Sequence, residues 1–399
     1  MKLEKVKAAV IGCGMISDIY LKNLTTRFSI IEITGVADSV DEKASAQAEK
    51  YGVKKRTVQD IMNDPQTELI INLTYPSSHY EITEAALKKG KHVYSEKCMA
   101  VTADEARSLY ALAEKNNLRL AVAPDTFLGG SWQSARKFLD GGLIGSPIAF
   151  SAVLIRGYHM IKNDEDDRKR KFSVMYPGGG IPYDMGGYYL YNLINLFGPV
   201  KRVCGNSFTR NRIRPYLNPN NTRFNDDFTV ETPNTLAATL EFANGVTGNL
   251  LITSELFGNE TTFEVYGDEG ILYLGDPNNF GDTIYVKTRG SDKTPLPFTH
   301  PYLTDSRGLG AAELAWSIRT GRKQRVSPEM GLAVMEILAA AEKSGKDGTF
   351  VNITTGCERP APLPSLYYGG ECDERILMID IKFKSRLTGI TDTAATEIR

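Results

Sequence analysis

A glycine pair near the N-terminus has the spacing of a phosphate-binding turn. Gly12 and Gly14 lie in the segment GCGMIS, which directly follows a short apolar run. The first glycine of such a turn permits a tight bend, the second lets a pyrophosphate approach the backbone, and the next helix offers unpaired N–H groups. Glycine turns also arise for steric reasons alone, but Ser17 is small enough for the close packing that a third glycine usually allows. We expect Gly12, Gly14, Met15 and Ile16 to contact a dinucleotide.

A carboxylate follows this turn at the distance that ribose recognition requires. Asp38 ends the second apolar run, where its oxygens would accept hydrogen bonds from the adenosine ribose hydroxyls. The same charge would repel a 2′-phosphate, and Ser39-Val40 supplies no arginine to hold one. We therefore predict NAD rather than NADP, with a helix-capping aspartate as the alternative interpretation of Asp38.

Polar and charged residues also follow the next two predicted strands. Thr74 and Pro76 come after the third strand, with His79 shortly downstream, and Glu96-Lys97 end the fourth strand. Ligands of an open parallel sheet bind at the carboxyl ends of its strands. These residues are therefore candidate cofactor contacts, although Lys97 taken alone could equally be a surface charge.

The N-terminal part of the chain has the alternating pattern of a sheet that would bring these strand ends together. Strand-like apolar runs at 6–11, 31–37, 69–74, 92–95 and 119–123 alternate with stretches of helical spacing at 16–24, 43–51, 80–89 and 102–116. This alternation predicts an α/β fold with a doubly wound parallel sheet of the Rossmann type.

From about residue 148 the pattern changes to successive strand-like runs. The runs are 148–155, 236–242, 246–253, 262–266, 271–274 and 283–287, and helical segments near 187–196, 311–320 and 328–344 would cover one face of their sheet. Asn244-Gly245 predicts a hairpin with a type I′ turn, whereas the stretches 162–171 and 210–225 are expected to be loops. We predict a C-terminal α+β domain with a mostly antiparallel open sheet.

These patterns divide the chain into three parts. Residues 1–124 form the predicted dinucleotide-binding domain, 125–357 the substrate-binding and oligomerisation domain, and 358–399 a tail of unknown role.

Composition excludes several classes of partner. The 399 residues carry a formal net charge of -1, which gives no electrostatic reason to expect nucleic acid or a membrane surface. The five cysteines are scattered and lack the spacing of a metal site, so we expect reduced thiols and no metal. The N-terminal apolar stretch is too short for a secretory signal or a membrane span, which predicts a cytoplasmic protein.

Taken together, the motifs resemble those of the glucose-fructose oxidoreductase and inositol dehydrogenase family, Gfo/Idh/MocA, over about residues 5–355. The marks are the glycine turn, Thr74 and Pro76 with His79 downstream, GKHVYSEKC at 90–98, the glycines 178–180 with DMGGY at 184–188, and GDEGILYLGDPN at 267–278. The resemblance implies that Lys97 contacts the reacting hydroxyl and the nicotinamide ribose. It also implies that the Asp-x3-His motif of the family falls on Asp184 and Tyr188.

Two positions depart from the family pattern. Cys98 replaces the usual proline, and Tyr188 replaces the usual catalytic histidine, although branches resembling glucose-fructose oxidoreductase and dihydrodiol dehydrogenase also use tyrosine. A phenol can exchange a proton, and a lysine ammonium nearby should lower its pKa below the ordinary value. Tyr188 could instead be a half-buried aromatic residue, with Tyr183 or Tyr189 as the acid–base group.

Two histidines are further candidates. His159 is expected to contact substrate and His79 to contact nicotinamide or substrate, with a hydrogen-bonded structural histidine as the alternative for each.

The resemblance implies an NAD-dependent dehydrogenase that oxidises a sugar, a cyclitol or a glycoside. Tyr188 would exchange the hydroxyl proton, Lys97 would stabilise the developing alkoxide, and Asp184 would orient both. Oxidation of a glucoside at its ring 3-hydroxyl, giving a 3-keto sugar, is a narrower expectation, and the exposed face of the second sheet suggests a homo-oligomer. The alternatives are a dinucleotide-binding sensor without catalysis and a dihydrodiol- or enone-type reductase.

Overall fold

The computed structural model describes residues 3–157 and 178–365, which form two large sheets with helices packed against them. Strands β1 to β5 of the first sheet are Val6–Ile11, Ile31–Ala37, Leu69–Asn72, His92–Ser95 and Leu120–Val122. Helices α1 to α5, which alternate with them, are Ser17–Thr26, Asp41–Tyr51, Val58–Asn63, Pro76–Lys88 and Ala103–Lys115.

Neighbouring strands of the first sheet are all parallel, in the order β2-β1-β3-β4-β5. Every residue of β3, with the sequence LIIN, is buried, as expected for a parallel sheet covered on both faces. β2 and β3 lie on opposite sides of β1, so a crevice opens at the carboxyl ends of β1 and β3. The predicted doubly wound sheet is confirmed, and its crevice is the place for a ligand.

The second sheet has nine strands in the order β15-β14-β13-β12-β6-β11-β10-β7-β16. Strands β6 to β16 are Pro147–Arg156, Val200–Phe208, Ile213–Pro215, Asp227–Thr229, Thr235–Phe242, Thr247–Thr253, Asn259–Gly267, Gly270–Leu274, Tyr285–Thr288, Thr294–Pro295 and Val351–Asn352. The pair β6–β11 is parallel and the other neighbouring pairs are antiparallel, which confirms the predicted mostly antiparallel sheet.

Two local predictions in this region need correction. The β10–β11 connection is a hairpin, but only Gly245 of the Asn-Gly pair has a positive φ, 92°, so the turn is not type I′. The stretch 210–225, predicted as a loop, contains β8, which pairs with β9 in a separate ribbon. The Glu255 carboxylate accepts hydrogen bonds from the backbone N–H groups of Arg210 and Asn211 and so fixes this ribbon to the end of β11.

Helices α6 (Gly130–Asp140), α7 (Ile181–Phe197) and α9 (Pro328–Asp347) cover the second sheet from one side. α7 is buried along nearly its whole length, as its almost continuous apolar sequence requires. It packs against β10 and β11. Helix α9 packs against β7 and also contacts α5, which belongs to the first sheet's set of helices. Polar side chains on the first turns of α7 are therefore held in a fixed position.

Helix α8 (Leu309–Thr320) packs against β1, β4 and β5 of the first sheet. The prediction that this segment covers the second sheet is therefore wrong. Ala311, Ala312 and Ala315 are fully buried, and their small size permits close packing on the first sheet. Periodicity shows that a helix has an apolar face but does not show which sheet that face covers.

The start of the predicted tail packs against α6 and the segment around His300. Leu363 is 3% exposed, its N–H donates to Gln133, and its carbonyl oxygen bonds to His300. The buried guanidinium of Arg136 donates to the carbonyl oxygen of Pro360. Residues 358–365 thus belong to the packed structure.

Candidate active site

The glycine turn after β1 has the geometry that a dinucleotide needs. Gly12 has a φ of 104°, and a Cβ there would lie 2.5 Å from the carbonyl carbon of Leu73, so only glycine fits. A Cβ on Gly14 would meet nothing within 4 Å, which leaves open space for a ligand at the backbone. No side chain caps the start of α1, and the N–H of its first residue, Ser17, donates to the Gly14 carbonyl oxygen at 3.1 Å. Met15 is 78% exposed, and Ile16 is half-buried beside it.

Asp38 lies beside this turn, at the end of β2. One carboxylate oxygen accepts a hydrogen bond from the Cys13 N–H at 2.7 Å, and the other accepts one from the Val40 N–H at 2.8 Å. By accepting these two bonds, Asp38 stabilises the backbone of both segments. This structural role is similar to that of the helix-capping aspartate named as the alternative. Each oxygen has a second lone pair, so both can still accept a ribose hydroxyl.

Hydrogen bonds fix the loop after β3, in which Thr74 and Pro76 are half-buried. Thr74 donates from its hydroxyl to the side-chain oxygen of buried Asn72 at 2.7 Å, and Pro76 begins α4. His79 is fully buried, and its ring nitrogens lie 2.5 Å from the Cys98 carbonyl oxygen and 2.9 Å from that of Thr74. Burial lowers the pKa of His79, although both carbonyl groups oppose this.

Both ring nitrogens of His79 are thus occupied by carbonyl oxygens in this structure, and its contact with a ligand stays a prediction. The histidine joins the Thr74 loop to the loop that carries Lys97-Cys98, which matches the structural alternative. His159 lies outside the described residues.

Glu96 lies behind the Lys97 loop, at 8% exposure. Its carboxylate accepts the Tyr20 hydroxyl at 2.7 Å and the Lys97 backbone N–H at 3.1 Å. The structure thus shows Glu96 as a support for the loop, with little surface for a cofactor.

Lys97 and Asp184 meet where β4 of the first sheet faces the first turn of α7. The Lys97 ammonium donates to the Asp184 carboxylate and, at 2.9 Å, to its backbone carbonyl oxygen. Burial alone would lower the pKa of Lys97, but the negative charge of Asp184, with smaller effects of Tyr188 and Glu96, raises it above its ordinary value. Lys97 is therefore a fixed cation at the edge of the crevice.

Tyr188, one turn further along α7, is the third member of this group. It is 7% exposed, and the Lys97 ammonium lies 5.5 Å from the centre of its ring. Burial raises the pKa of Tyr188 above its ordinary value, although the positive charges of Lys97 and Arg307 oppose this. The expectation of a lowered pKa is wrong because the loss of water around the phenol outweighs both cations.

The two alternative tyrosines are placed differently. Tyr189 is fully buried, stacks on Phe263 at 5.9 Å and directs its hydroxyl toward the Val153 carbonyl oxygen. Tyr183 is half-buried against the core, and its carbonyl oxygen accepts a hydrogen bond from the Cys98 thiol. Of the three, Tyr188 is the one beside Lys97.

Sequence reasoning missed Arg307, which precedes α8. Its guanidinium donates to Asn278 at 2.6 Å and Asp305 at 2.8 Å, and its positive charge acts to lower the pKa of Tyr188. Asn278 ends the quoted motif GDEGILYLGDPN, but no local pattern distinguishes Arg307 from a surface arginine.

In the parts of the chain that the structure describes, no three His, Cys, Asp or Glu side chains are grouped as metal ligands would be. Within the same residues, no helix has both the length and the apolar character to cross a membrane.

Comparison with known families gives two matches that together cover most of the chain. Residues 6–123 match GFO_IDH_MocA, described as an oxidoreductase family with an NAD-binding Rossmann fold. Residues 132–273 match the GFO/IDH/MocA C-terminal domain.

Similar proteins include oxidoreductases and an inositol dehydrogenase. An uncharacterized oxidoreductase of Schizosaccharomyces pombe is 30% identical over 218 residues, which are 53% of this chain and 57% of that protein, so the match spans little more than half of the relative. The NADP(+)-dependent scyllo-inositol 2-dehydrogenase IolW of Bacillus subtilis is 24% identical over 366 residues, 87% of this chain and 95% of that one.

Solved structures share the fold. Levoglucosan dehydrogenase in complex with NADH and L-sorbose superposes with a TM-score of 0.75 at 20% identity, over 88% of this chain and 100% of that one. A putative NADPH-dependent oxidoreductase from Desulfitobacterium hafniense superposes with a TM-score of 0.73 at 20% identity, over 88% and 99% of the two chains.

Proposed function

Because the chain belongs to the GFO/IDH/MocA oxidoreductase family, we propose that it transfers hydride between NAD and a carbinol carbon of a polyhydroxy compound. The observation that carries this proposal is the contact of Lys97, Asp184 and Tyr188 at the edge of the crevice beside the glycine turn. NAD, when bound, supplies the nicotinamide carbon that accepts or returns the hydride. We also propose the division of labour drawn from the sequence, with 1–124 binding the dinucleotide and 125–357 supplying Asp184 and Tyr188.

Each of the three side chains has a role that its chemistry permits. Tyr188 accepts the hydroxyl proton of the substrate as hydride leaves the same carbon. Lys97 stabilises the negative charge that develops on the oxygen, as a preorganised cation in a site with little water can. Asp184 holds the lysine ammonium in place through its carboxylate and its carbonyl oxygen.

The substrate class is supported by the relatives. Inositol dehydrogenases and levoglucosan dehydrogenase act on compounds with several hydroxyl groups, as their names state. We propose a sugar, a cyclitol or a glycoside as the substrate here, with oxidation of a glucoside to a 3-keto sugar as the narrowest form of the proposal. In this proposal NAD is preferred to NADP because the Asp38 carboxylate, which binds the adenosine ribose, repels a 2′-phosphate.

The test is turnover with a panel of free sugars, inositols and glucosides, each with NAD and with NADP. Formation of reduced nicotinamide is followed by absorbance, and the product is identified by NMR. We expect reduction of NAD with at least one compound, and loss of turnover by a factor of about 100 or more in Lys97→Met. Lys54→Met, which removes an exposed lysine, is the matched control.

Three outcomes would change the proposal. NAD binding without turnover of any compound favours the sensor, and turnover of apolar diols or enones alone favours the reductase. Tighter binding of NADP than of NAD contradicts the role given to Asp38.

We further propose that the open face of the second sheet joins copies of the chain. Along β6, Phe150, Ala152 and Leu154 are buried beneath the helices, whereas Val153 and Ile155 alternate with them and face the other side, where they are only half-buried. Light scattering of Val153→Asp against the unaltered protein tests this, since a charge on the interface should lower the molar mass.

A further inference from the structure

Tyr20 of α1 joins the helix that follows the glycine turn to the loop that carries Lys97. Its side chain is fully buried, and its hydroxyl donates to one carboxylate oxygen of Glu96 at 2.7 Å. The other oxygen of Glu96 accepts the backbone N–H of Lys97 at 3.1 Å. Because each oxygen has its own donor, the plane and the direction of this carboxylate are both fixed. One buried side chain thus connects α1 to the backbone of Lys97.

The direction of the bonds in this buried group follows from the carboxylate, which can only accept. The Tyr20 hydroxyl therefore directs its proton to Glu96, and its oxygen is left as an acceptor. The hydroxyl of Tyr94 lies 3.4 Å from that oxygen, which is long for a bond between two hydroxyl groups. The short bond from Tyr20 to the carboxylate is therefore the strong one of the two.

The contacts of the Lys97 loop lead to three helices. The ring of His79 in α4 bonds to the Cys98 carbonyl oxygen at 2.5 Å. The Lys97 ammonium donates to the Asp184 carbonyl oxygen in α7 at 2.9 Å. The backbone bond to Glu96 leads to α1, which is the helix whose start is expected to bind the dinucleotide. The position of Lys97 relative to the cofactor therefore depends on this third contact.

We propose that Tyr20 is a positioning residue for Lys97, which it holds through Glu96 at a fixed place relative to the cofactor at the start of α1. Hydride transfer requires the lysine ammonium to meet the substrate oxygen while the reacting carbon faces the nicotinamide. A small displacement of a group in such an arrangement lowers the rate steeply. Because Tyr20 is fully buried, its effect on the reaction passes through Lys97. The inference rests on the proposed function of Lys97.

The physical link is tested by hydrogen exchange at the Lys97 amide, measured by NMR without substrate. Tyr20→Phe keeps the ring and removes the donor, so Glu96 loses one of its two partners and holds the amide less firmly. We expect exchange at Lys97 to become faster by a factor of about 10 or more, beyond any change in the amides of β3, which report global stability. Tyr51→Phe is the matched control, because this phenol also donates to α1, to the Asp18 carbonyl oxygen at 2.9 Å. It should leave exchange at Lys97 unchanged.

The catalytic consequence is measured as kcat and KM for NAD reduction with the most active compound of the panel. Tyr20→Phe should lower kcat by a factor of about 10 to 100, whereas Tyr51→Phe should keep it. KM for substrate and Kd for NAD should change little, because Lys97 acts mainly on the charge that develops in the transition state.

A second variant tests the path through the carboxylate. In Glu96→Gln one oxygen becomes an amide nitrogen, which cannot accept, so one of the two bonds is lost in either orientation of the amide. Exchange at Lys97 should again become faster and kcat should fall. The double variant with Tyr20→Phe should be no slower than the slower single variant, since both changes interrupt the same path.

The inference is overturned if exchange at Lys97 in Tyr20→Phe rises no more than in β3, or if it rises while kcat stays unchanged. Loss of NAD affinity equal to the loss of kcat, or additive effects in the double variant, would also overturn it, because Tyr20 would then only support α1. If Tyr20→Phe does not fold, Glu96→Gln decides alone, and unchanged exchange at Lys97 has the same meaning. Exchange needs no turnover, so an inactive unaltered protein would count against the proposed function and leave the link between α1 and Lys97 intact.

Discussion

At the scale of single residues, the candidate centre depends on a phenol that carries its charge only in alkaline solution. Tyr188 is buried, and its pKa lies above the ordinary value in spite of two neighbouring cations. A base of this kind differs from the histidine that the family usually has at this position, whose ordinary pKa is about 6.5.

The pH profile should show this difference. Oxidation requires the phenolate as proton acceptor, and the phenolate forms only as the pH approaches the raised pKa of Tyr188. Activity should therefore climb through the alkaline range, and Tyr188→Phe should abolish both this limb and most turnover, measured as initial rates of NAD reduction. Tyr183→Phe and Tyr189→Phe should keep both. A profile that is flat above about pH 7 would indicate a histidine base and remove Tyr188 from the mechanism.

At the scale of elements, the two glycines of the turn between β1 and α1 meet different requirements. One is a requirement of the fold, and the other is a requirement of the ligand. Gly12 is needed by the fold, since its φ is positive and its Cβ position is filled by the backbone of Leu73. Gly14 has neither constraint, so the absence of a side chain there only leaves room for a ligand at the backbone.

Alanine substitutions should separate these requirements. Gly14→Ala should weaken NAD binding by a factor of about 10 or more without changing the free energy of unfolding, because a methyl group enters only ligand space. Gly12→Ala should lower the free energy of unfolding by about 1–3 kcal/mol, because it forces a strained backbone against Leu73. Calorimetric titration with NAD and urea denaturation measure the two effects. Equal losses of stability in both variants would contradict the distinction.

The N-terminus of α8 depends on a buried carboxylate. Asp125 is 1% exposed and accepts two N–H groups at the start of this helix. Burial raises its pKa from 3.8 to about 6, although the bonds from Gly310 and Gly308 oppose the shift.

This shift makes stability depend on pH with a definite sign. Between about pH 4 and about pH 6 the folded protein keeps the Asp125 proton that the unfolded chain has lost, so stability falls as the pH rises through this window. The fall due to Asp125 is at most about 3 kcal/mol. Asp125→Asn keeps an acceptor oxygen and removes the charge, so urea denaturation across the window should show a smaller slope. An unchanged slope would mean that other groups cause the dependence.

At the scale of the whole molecule, helices that follow the second sheet in the chain also contact the first sheet and its helices. α8 follows the second sheet in the chain but packs on the first, and α9 contacts both units. The segment 358–365 then returns to α6, where Leu363 fills the core.

Removal of this last contact should destabilise the protein measurably. Leu363→Ala should lower the free energy of unfolding by about 2–5 kcal/mol, as expected for a fully buried leucine. Leu256→Ala, at a side chain that is 45% exposed, should change it by less than about 0.5 kcal/mol. Urea denaturation of both variants measures the difference, and similar values for the two would show that the segment contributes little.

The sequence by itself determined the helices, the strands and the motifs, because each depends on residues that are close together in the chain. β1 and β2 have the predicted bounds, since a short apolar run that ends at a glycine or aspartate defines a buried strand within a few residues. The glycine turn, Lys97 and the Asp184–Tyr188 pair could be identified in the same way, because the chemistry of each depends on residue type and spacing.

Only the tertiary structure decided which distant groups meet. The packing of α8 on the first sheet and the bonds that the Asp125 carboxylate accepts from Gly308 and Gly310 join residues that are far apart in the chain. The same is true of the direction of the Tyr188 pKa, because the exclusion of water from a side chain is a property of everything packed around it.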